Sequence, residues 1–198
     1  MVNIIFFVFL LALWPVEQTV NMEVNASSDD ATQSNTGAVV ITNSNAAPLR
    51  NTTGLTMWGG ARFLNVQIPR GAIITSATIT ATDTVGGAVI DATIFMQDAD
   101  NPSTFTTTTN DISNRTRTTA STEWDVASST NGNNISPSIK SQVQTAVKRD
   151  GWNSGNAMVV ILQLNTGNTA FSRSFDGNPT KAVKLNVTFT RRRSIIIF

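Results

Sequence analysis

The chain has 198 residues and a mass of 21.2 kDa, with 14 Lys and Arg against 13 Asp and Glu, a net charge of +1, and only 14% charged residues. That length suits one domain with a sizeable core, and a near-neutral surface rich in Thr, Ser and Asn offers no electrostatic footprint for nucleic acid. Cys, His and Tyr are absent, which removes disulfides, thiolate zinc sites, Ser-His-Asp and Cys-His triads and the usual near-neutral general base.

The first predicted element is the apolar run IIFFVFLLALW, Ile4 to Trp14. Its length matches a signal-peptide h-region and falls short of the roughly 20 residues that span a bilayer. We therefore expect a leader over residues 1–22, an extracellular location with no membrane span, a β-sandwich over 23–190, and an appended tail over 191–198. No Lys or Arg precedes the run and no A-x-A signal follows it, so a buried first strand or helix stays open. Behind the leader, SSDDAT holds Asp29 and Asp30, the chain's one pair of adjacent carboxylates.

A short strand is predicted at Ala38–Thr42, AVVIT. The clearest alternation follows in ARFLNVQIPRGAIITSATITATD. Phe63, Asn65 and Gln67 alternate with Leu64, Val66 and Ile68. Pro69-Arg70-Gly71 breaks the run, and Ile74, Ser76, Thr78 and Thr80 then alternate with Thr75, Ala77, Ile79 and Ala81. Gly86-Gly87 precedes a third strand, AVIDATIFMQ, at Ala88–Gln97. The acidic turn Asp98-Ala99-Asp100-Asn101 lacks the glycine and closing glutamate of an EF-hand loop, so it reads as a polar turn.

From Thr106 to Thr122 the chain is too polar to form much core and reads as a surface loop or edge strand, with Arg115 and Arg117 exposed. Ser136-Pro137 then supplies an N-cap and a first-turn proline. Ile139, Val143 and Val147 recur every four residues, and Lys148-Arg149 and Gly151 close the element, which predicts one amphipathic helix of about three turns. The runs AMVVILQL, Ala157–Leu164, and AVKLNVTF, Ala182–Phe189, add two strands, the first apolar enough to be central. In the tail RRRSIIIF, Arg191–Arg193 suit an anionic surface or a solvated end. Short strands, many turn residues and one helix give an all-β class, an antiparallel jelly-roll-type β-sandwich with one short amphipathic helix.

Taken in order, SSDDAT, ARFLNVQIPRGAIITSATIT, DADNPSTF, NRTRTTASTEW, SPSIKSQVQTAVKRDGWNSGNAMVVIL and SFDGNPTKAVKLNVTF resemble a module of large secreted and surface proteins, the disaggregatase-related jelly-roll carbohydrate-binding modules. The resemblance covers about residues 24–189. It implies a non-catalytic extracellular domain and a structural Ca²⁺ where the first and last strands meet. On this chain that points to Asp29, Asp30 and Asp176, since Ca²⁺ takes six to eight oxygen ligands and needs no His or Cys. The other reading has Asp29 capping a turn and Asp176-Gly177 forming a tight loop.

Sugar recognition calls for an aromatic platform beside amide and carboxylate hydrogen-bonders. Trp58, Trp124 with Glu123 and Asp125 beside it, and Trp152 are the candidates, against ordinary packing roles. Sequons at Asn25, Asn51, Asn114, Asn134 and Asn186 are expected glycan acceptors and agree with export. A glycosidase needs two facing carboxylates, and neither Glu23 nor Glu123 has an evident partner. Lys140, Lys148, Lys181 and Lys184 sit in surface-like contexts that do not suit a general base. The sequence thus suggests a non-enzymatic binding module for glycan or extracellular matrix, or alternatively a self-associating structural or adhesive subunit of an extracellular coat, fibre or matrix.

Overall fold

A computed structural model of the chain describes residues 16–43, 49, 55–83 and 86–191. The apolar run before residue 15, the Asn51 sequon and the tail from Arg192 onward lie outside the described residues. In chain order the strands are β1 (Glu17–Glu23), β2 (Asp30–Gln33), β3 (Val39–Val40), β4 (Met57–Phe63), β5 (Ile73–Thr82), β6 (Ile90–Met96), β7 (Thr122–Val126) and β8 (Asn133–Ile135). Helix α1 (Lys140–Lys148), β9 (Met158–Leu164) and β10 (Lys184–Thr190) follow. They form two antiparallel sheets, a four-stranded one ordered β1-β10-β5-β8 and a six-stranded one ordered β3-β2-β4-β9-β6-β7. The class is the expected one, an all-β sandwich with one helix.

Period-2 patterning builds the core between the sheets. Ile74, Ala77, Ile79 and Ala81 of β5 and Leu185, Val187 and Phe189 of β10 meet Ile90, Ala92, Ile94 and Met96 of β6 and Met158, Val160, Leu162 and Leu164 of β9. Helix α1 buries Val143, Ala146 and Val147 into the same core. It begins at Lys140, later than the Ser136-Pro137 signal, because the Ser136 hydroxyl is used elsewhere: it accepts the Ile79 N–H at 3.0 Å and fixes the chain to β5.

Three sequence expectations change. The sandwich starts at Glu17 rather than residue 23, because β1 pairs along its whole length with β10, Glu17 opposite Thr190 and Glu23 opposite Lys184. Residues 17–22 of the expected leader are therefore strand. The alternating run from Phe63 to Ile68 is not a strand beyond Phe63; β4 precedes it, and Val66 and Ile68 are buried from irregular backbone.

The third change concerns the Thr-rich segment, which is a cover rather than an exposed loop. Phe105 and Ile112 pack with Ala31, Val39, Val159 and Ile161 into a second cluster on the outer face of the six-stranded sheet, flanked by Trp58 and Phe95. Arg115 is buried with them, its guanidinium 4.3 Å from the Phe105 ring centre. It donates to the Ser103 and Thr104 carbonyls, to Gln97 and to Asp111 at 2.8–3.0 Å. Both terminal nitrogens are thus used and the face is stacked, which lets a planar cation be buried, although its Nε is left without a partner. The acidic turn is likewise tied down, Asp98 and Asp100 both binding Arg149 at the end of α1.

Phe105 seats directly over Gly60 of β4, where a Cβ would collide with the ring. Gly60→Ala should therefore cost about 1–3 kcal/mol through overpacking, read as a lower midpoint in urea unfolding. An unchanged midpoint would show that Phe105 is not seated there.

Candidate functional site

The Asp-rich N-terminal stretch and the last loop do converge. Ser27–Asp29 form one 3-10 turn that leads into β2 at Asp30. Asp29 is buried and spoken for: its Oδ1 accepts from Arg62 Nη1 at 2.9 Å and from Thr104 Oγ1 at 2.9 Å. Asp30 is 1% exposed; its Oδ2 accepts the Phe175 N–H at 2.7 Å, and its Oδ1 is buried without a hydrogen-bond partner. Asp176, the next residue after Phe175, accepts from Ser27 Oγ at 2.6 Å.

Burial pushes Asp30 up from 3.8 to about 7, against the lowering effect of the Phe175 N–H, and the nearby charges of Asp176 and Asp29 add to the rise. The donor set fits the expected Ca²⁺ only in part. Asp30 supplies an unpartnered oxygen and Asp176 an exposed carboxylate, but Asp29 is neutralised by Arg62. Among the described residues, no group of three or more acidic side chains is arranged to hold a metal ion.

The expected tryptophan platforms separate sharply. Trp124 and Trp152 are each 1% exposed and belong to the core, so neither offers a ring face to a sugar. Trp124 alternates inward on β7, and Trp152 donates its indole N–H to the Ile68 carbonyl at 2.9 Å. Trp58 is half-buried on the outer face of the six-stranded sheet, with the Arg117 guanidinium 4.7 Å from its ring centre.

Trp58 and Glu123 nevertheless share one row across that face. The register runs Gln33, Trp58, Gln163, Thr93, Glu123 from β2 to β7. Beside it Asp91 stands directly opposite Asp125, against an open cavity of about 420 Å³ lined by Val89, Ile90, Asp91, Asp125, Val126 and Ala127. Asp91 accepts from Asn165 Nδ2 at 2.7 Å and from the Gly167 N–H at 3.2 Å. No Lys or Arg is paired with Asp91, Glu123 or Asp125 among the described residues. Sequence reading missed Asp91, Thr93 and Gln163. The alternation in IDATIF and TEWDV carried the signal, since it sets Asp91, Thr93, Glu123 and Asp125 on the polar side of their strands.

The sequons also divide. Asn25 and Asn114 are exposed. Asn186 is half-buried on β10 and donates to Asn21 of β1. Asn134 is 8% exposed, and its amide accepts from the Thr130 N–H at 2.9 Å and donates to the Thr130 and Gly132 carbonyls. A glycan there would break this turn, so the folded chain does not suit Asn134 as an acceptor. Compared with known proteins, the chain matches no family model and no curated sequence.

Because Asp30 holds its proton more tightly folded than unfolded, the folded chain takes up a proton between about pH 4 and 7, and this group's contribution to stability falls as pH rises through that window. In EGTA, the melting temperature should drop from pH 5 to pH 8 more steeply in the wild-type chain than in Asp30→Asn. Equal slopes would show that Asp30 does not titrate in this range.

Proposed function

We propose that this protein is an exported, non-catalytic β-sandwich module that serves as a structural or adhesive subunit of an extracellular coat, fibre or matrix. The supporting observation is the contrast between its aromatic residues and its edges. Two of the three candidate tryptophans are core residues and the third is stacked against Arg117, whereas the outer strands β1 and β7 each pair on one side only among the described residues. Open edges of this kind are templates for pairing with another chain. Lack of His, Cys and Tyr supports a role without catalysis. No described helix is long and apolar enough to cross a membrane, and the resemblance to jelly-roll carbohydrate-binding modules favours export.

Glycan or matrix binding is the second reading, favoured by the Trp58–Gln163–Thr93–Glu123 row, where an aromatic edge, an amide, a hydroxyl and a carboxylate line one face. Sedimentation of the full chain over a range of concentrations, with a glycan array alongside, separates the two. Concentration-dependent oligomers with no array binding are expected. A strict monomer that binds a defined glycan, with binding lost in Glu123→Ala, would reverse the order.

A structural Ca²⁺ belongs to the same proposal, held by Asp30 and Asp176 and supplying the positive charge that this buried carboxylate lacks. Added Ca²⁺ should then raise the melting temperature of the wild-type chain and leave Asp30→Ala and Asp176→Ala unchanged. A protein indifferent to both Ca²⁺ and EGTA would end that part.

A further inference from the structure

At the β6–β7 edge of the six-stranded sheet Asp91 holds the Asn165–Gly167 turn and Glu123 accepts from Thr93, but Asp125 has no described partner. Asp91 and Asp125 are directly opposed, with Glu123 two residues along the same strand face, and like charges in that arrangement are destabilising. No described cation offsets them. The cavity beside them is apolar on its other walls, Val89, Val126 and Ala127. β7 is also the outer strand of its sheet, pairing on one side only among the described residues. The complement of such a site is an extended segment that carries basic residues two apart, followed by β-branched apolar residues.

The chain contains one such segment. Arg191 and Arg193 are spaced to lie on one face of an extended strand, and Ser194 is followed by Ile-Ile-Ile-Phe, a run of high β-propensity. We propose that the C-terminal segment Arg191–Phe198 of a second copy of this chain docks along β7, its arginines on Asp91, Asp125 and Glu123 and its isoleucines in the adjacent cavity.

The occupant must come from another copy. Thr190 pairs with Ile73 at the start of β5, while the cavity adjoins the far end, where β5 closes at Thr82 and Asp83 bonds to Gly132 and Ser172. The ten residues of β5 span about 30 Å at roughly 3.3 Å per residue. Arg191, one residue past Thr190, cannot cover that distance to its own Asp91 and Asp125. The acidic site and the point where the tail begins, just past Thr190, thus lie at opposite ends of the sandwich, which makes the proposed contact head-to-tail and, unless a ring closes, open-ended.

This proposal rests on the assembly role above, and the test separates the two. Sedimentation velocity would compare the full chain, a chain ending at Thr190, and Asp125→Lys, whose exposed side chain makes no hydrogen bond among the described residues. In parallel, a labelled TRRRSIIIF peptide would be titrated into the Thr190-truncated chain by fluorescence anisotropy. Oligomers are expected only in the full chain, shrinking as salt is raised. Peptide affinity should fall at least about tenfold in Asp125→Lys, or when the three arginines are serine, a change of roughly 1.4 kcal/mol. Oligomers that persist equally in the truncated chain and in Asp125→Lys would overturn the tail contact and leave assembly standing. A monomeric full chain would overturn both. A peptide bound equally by wild type and Asp125→Lys would also overturn the contact.

Discussion

The buried guanidinium of Arg115 governs what the six-stranded sheet can present to solvent. It binds the Ser103 and Thr104 carbonyls, Gln97 and Asp111 while lying over Phe105, and so folds a Thr-rich segment onto Val159 and Ile161. Burying a charge costs several kcal/mol unless its donors are used, and here four acceptors take up the two terminal nitrogens while Nε stays unpartnered. With that cover in place, the part of the outer face around Ala31, Val159 and Ile161 is closed, while Trp58 and Gln163 stay half-buried. The β6–β7 side is the more open one, with Glu123 and Asp125 exposed beside half-buried Asp91 and Thr93.

The elements legible in the sequence are those whose inner face carries large aliphatic residues. Ile90, Ile94 and Met96 make β6 plain, Leu185, Val187 and Phe189 make β10 plain, and the Ile139–Val143–Val147 repeat makes α1 plain. The strands that escaped have little apolar signal. β1 turns only Val20 and Met22 inward, and β7 turns in Trp124 between polar neighbours. Tertiary pairing, not local preference, makes them strands. The cover loop escaped for a different reason, since its burial depends on one aromatic ring, one isoleucine and a cation bound by carbonyls some turns back in the chain, none of which is periodic.

At the candidate sites, residue type alone could not separate core from surface. Trp58, Trp124 and Trp152 are chemically alike in the sequence, yet strand phase sends Trp124 inward and Trp58 outward, and Trp152 is drawn into the core, where its N–H meets the Ile68 carbonyl. Convergence of Asp30 and Asp176 was legible from the expected meeting of first and last segments. The pairing of Asp29 with Arg62 was not, because the two lie far apart in sequence and are brought together by β2 joining β4.

In a chain with so few charges, where each one sits carries information. Ion pairs are spent on fastening loops: Asp29 to Arg62, Asp111 to Arg115, and Asp98 and Asp100 to Arg149. The carboxylates left over on the open sheet face gather at one end of the sandwich, and β10 ends at the other, where Thr190 pairs with Glu17 at the start of β1. Net charge is almost zero, so copies carry no strong overall repulsion, and the tail contact proposed above would owe its orientation to where these few charges sit. Charge complementarity of that kind selects register and orientation more than it supplies affinity. The affinity would then have to come from apolar burial, and the segment that follows the arginines is the most β-prone apolar run outside the core strands and the leader.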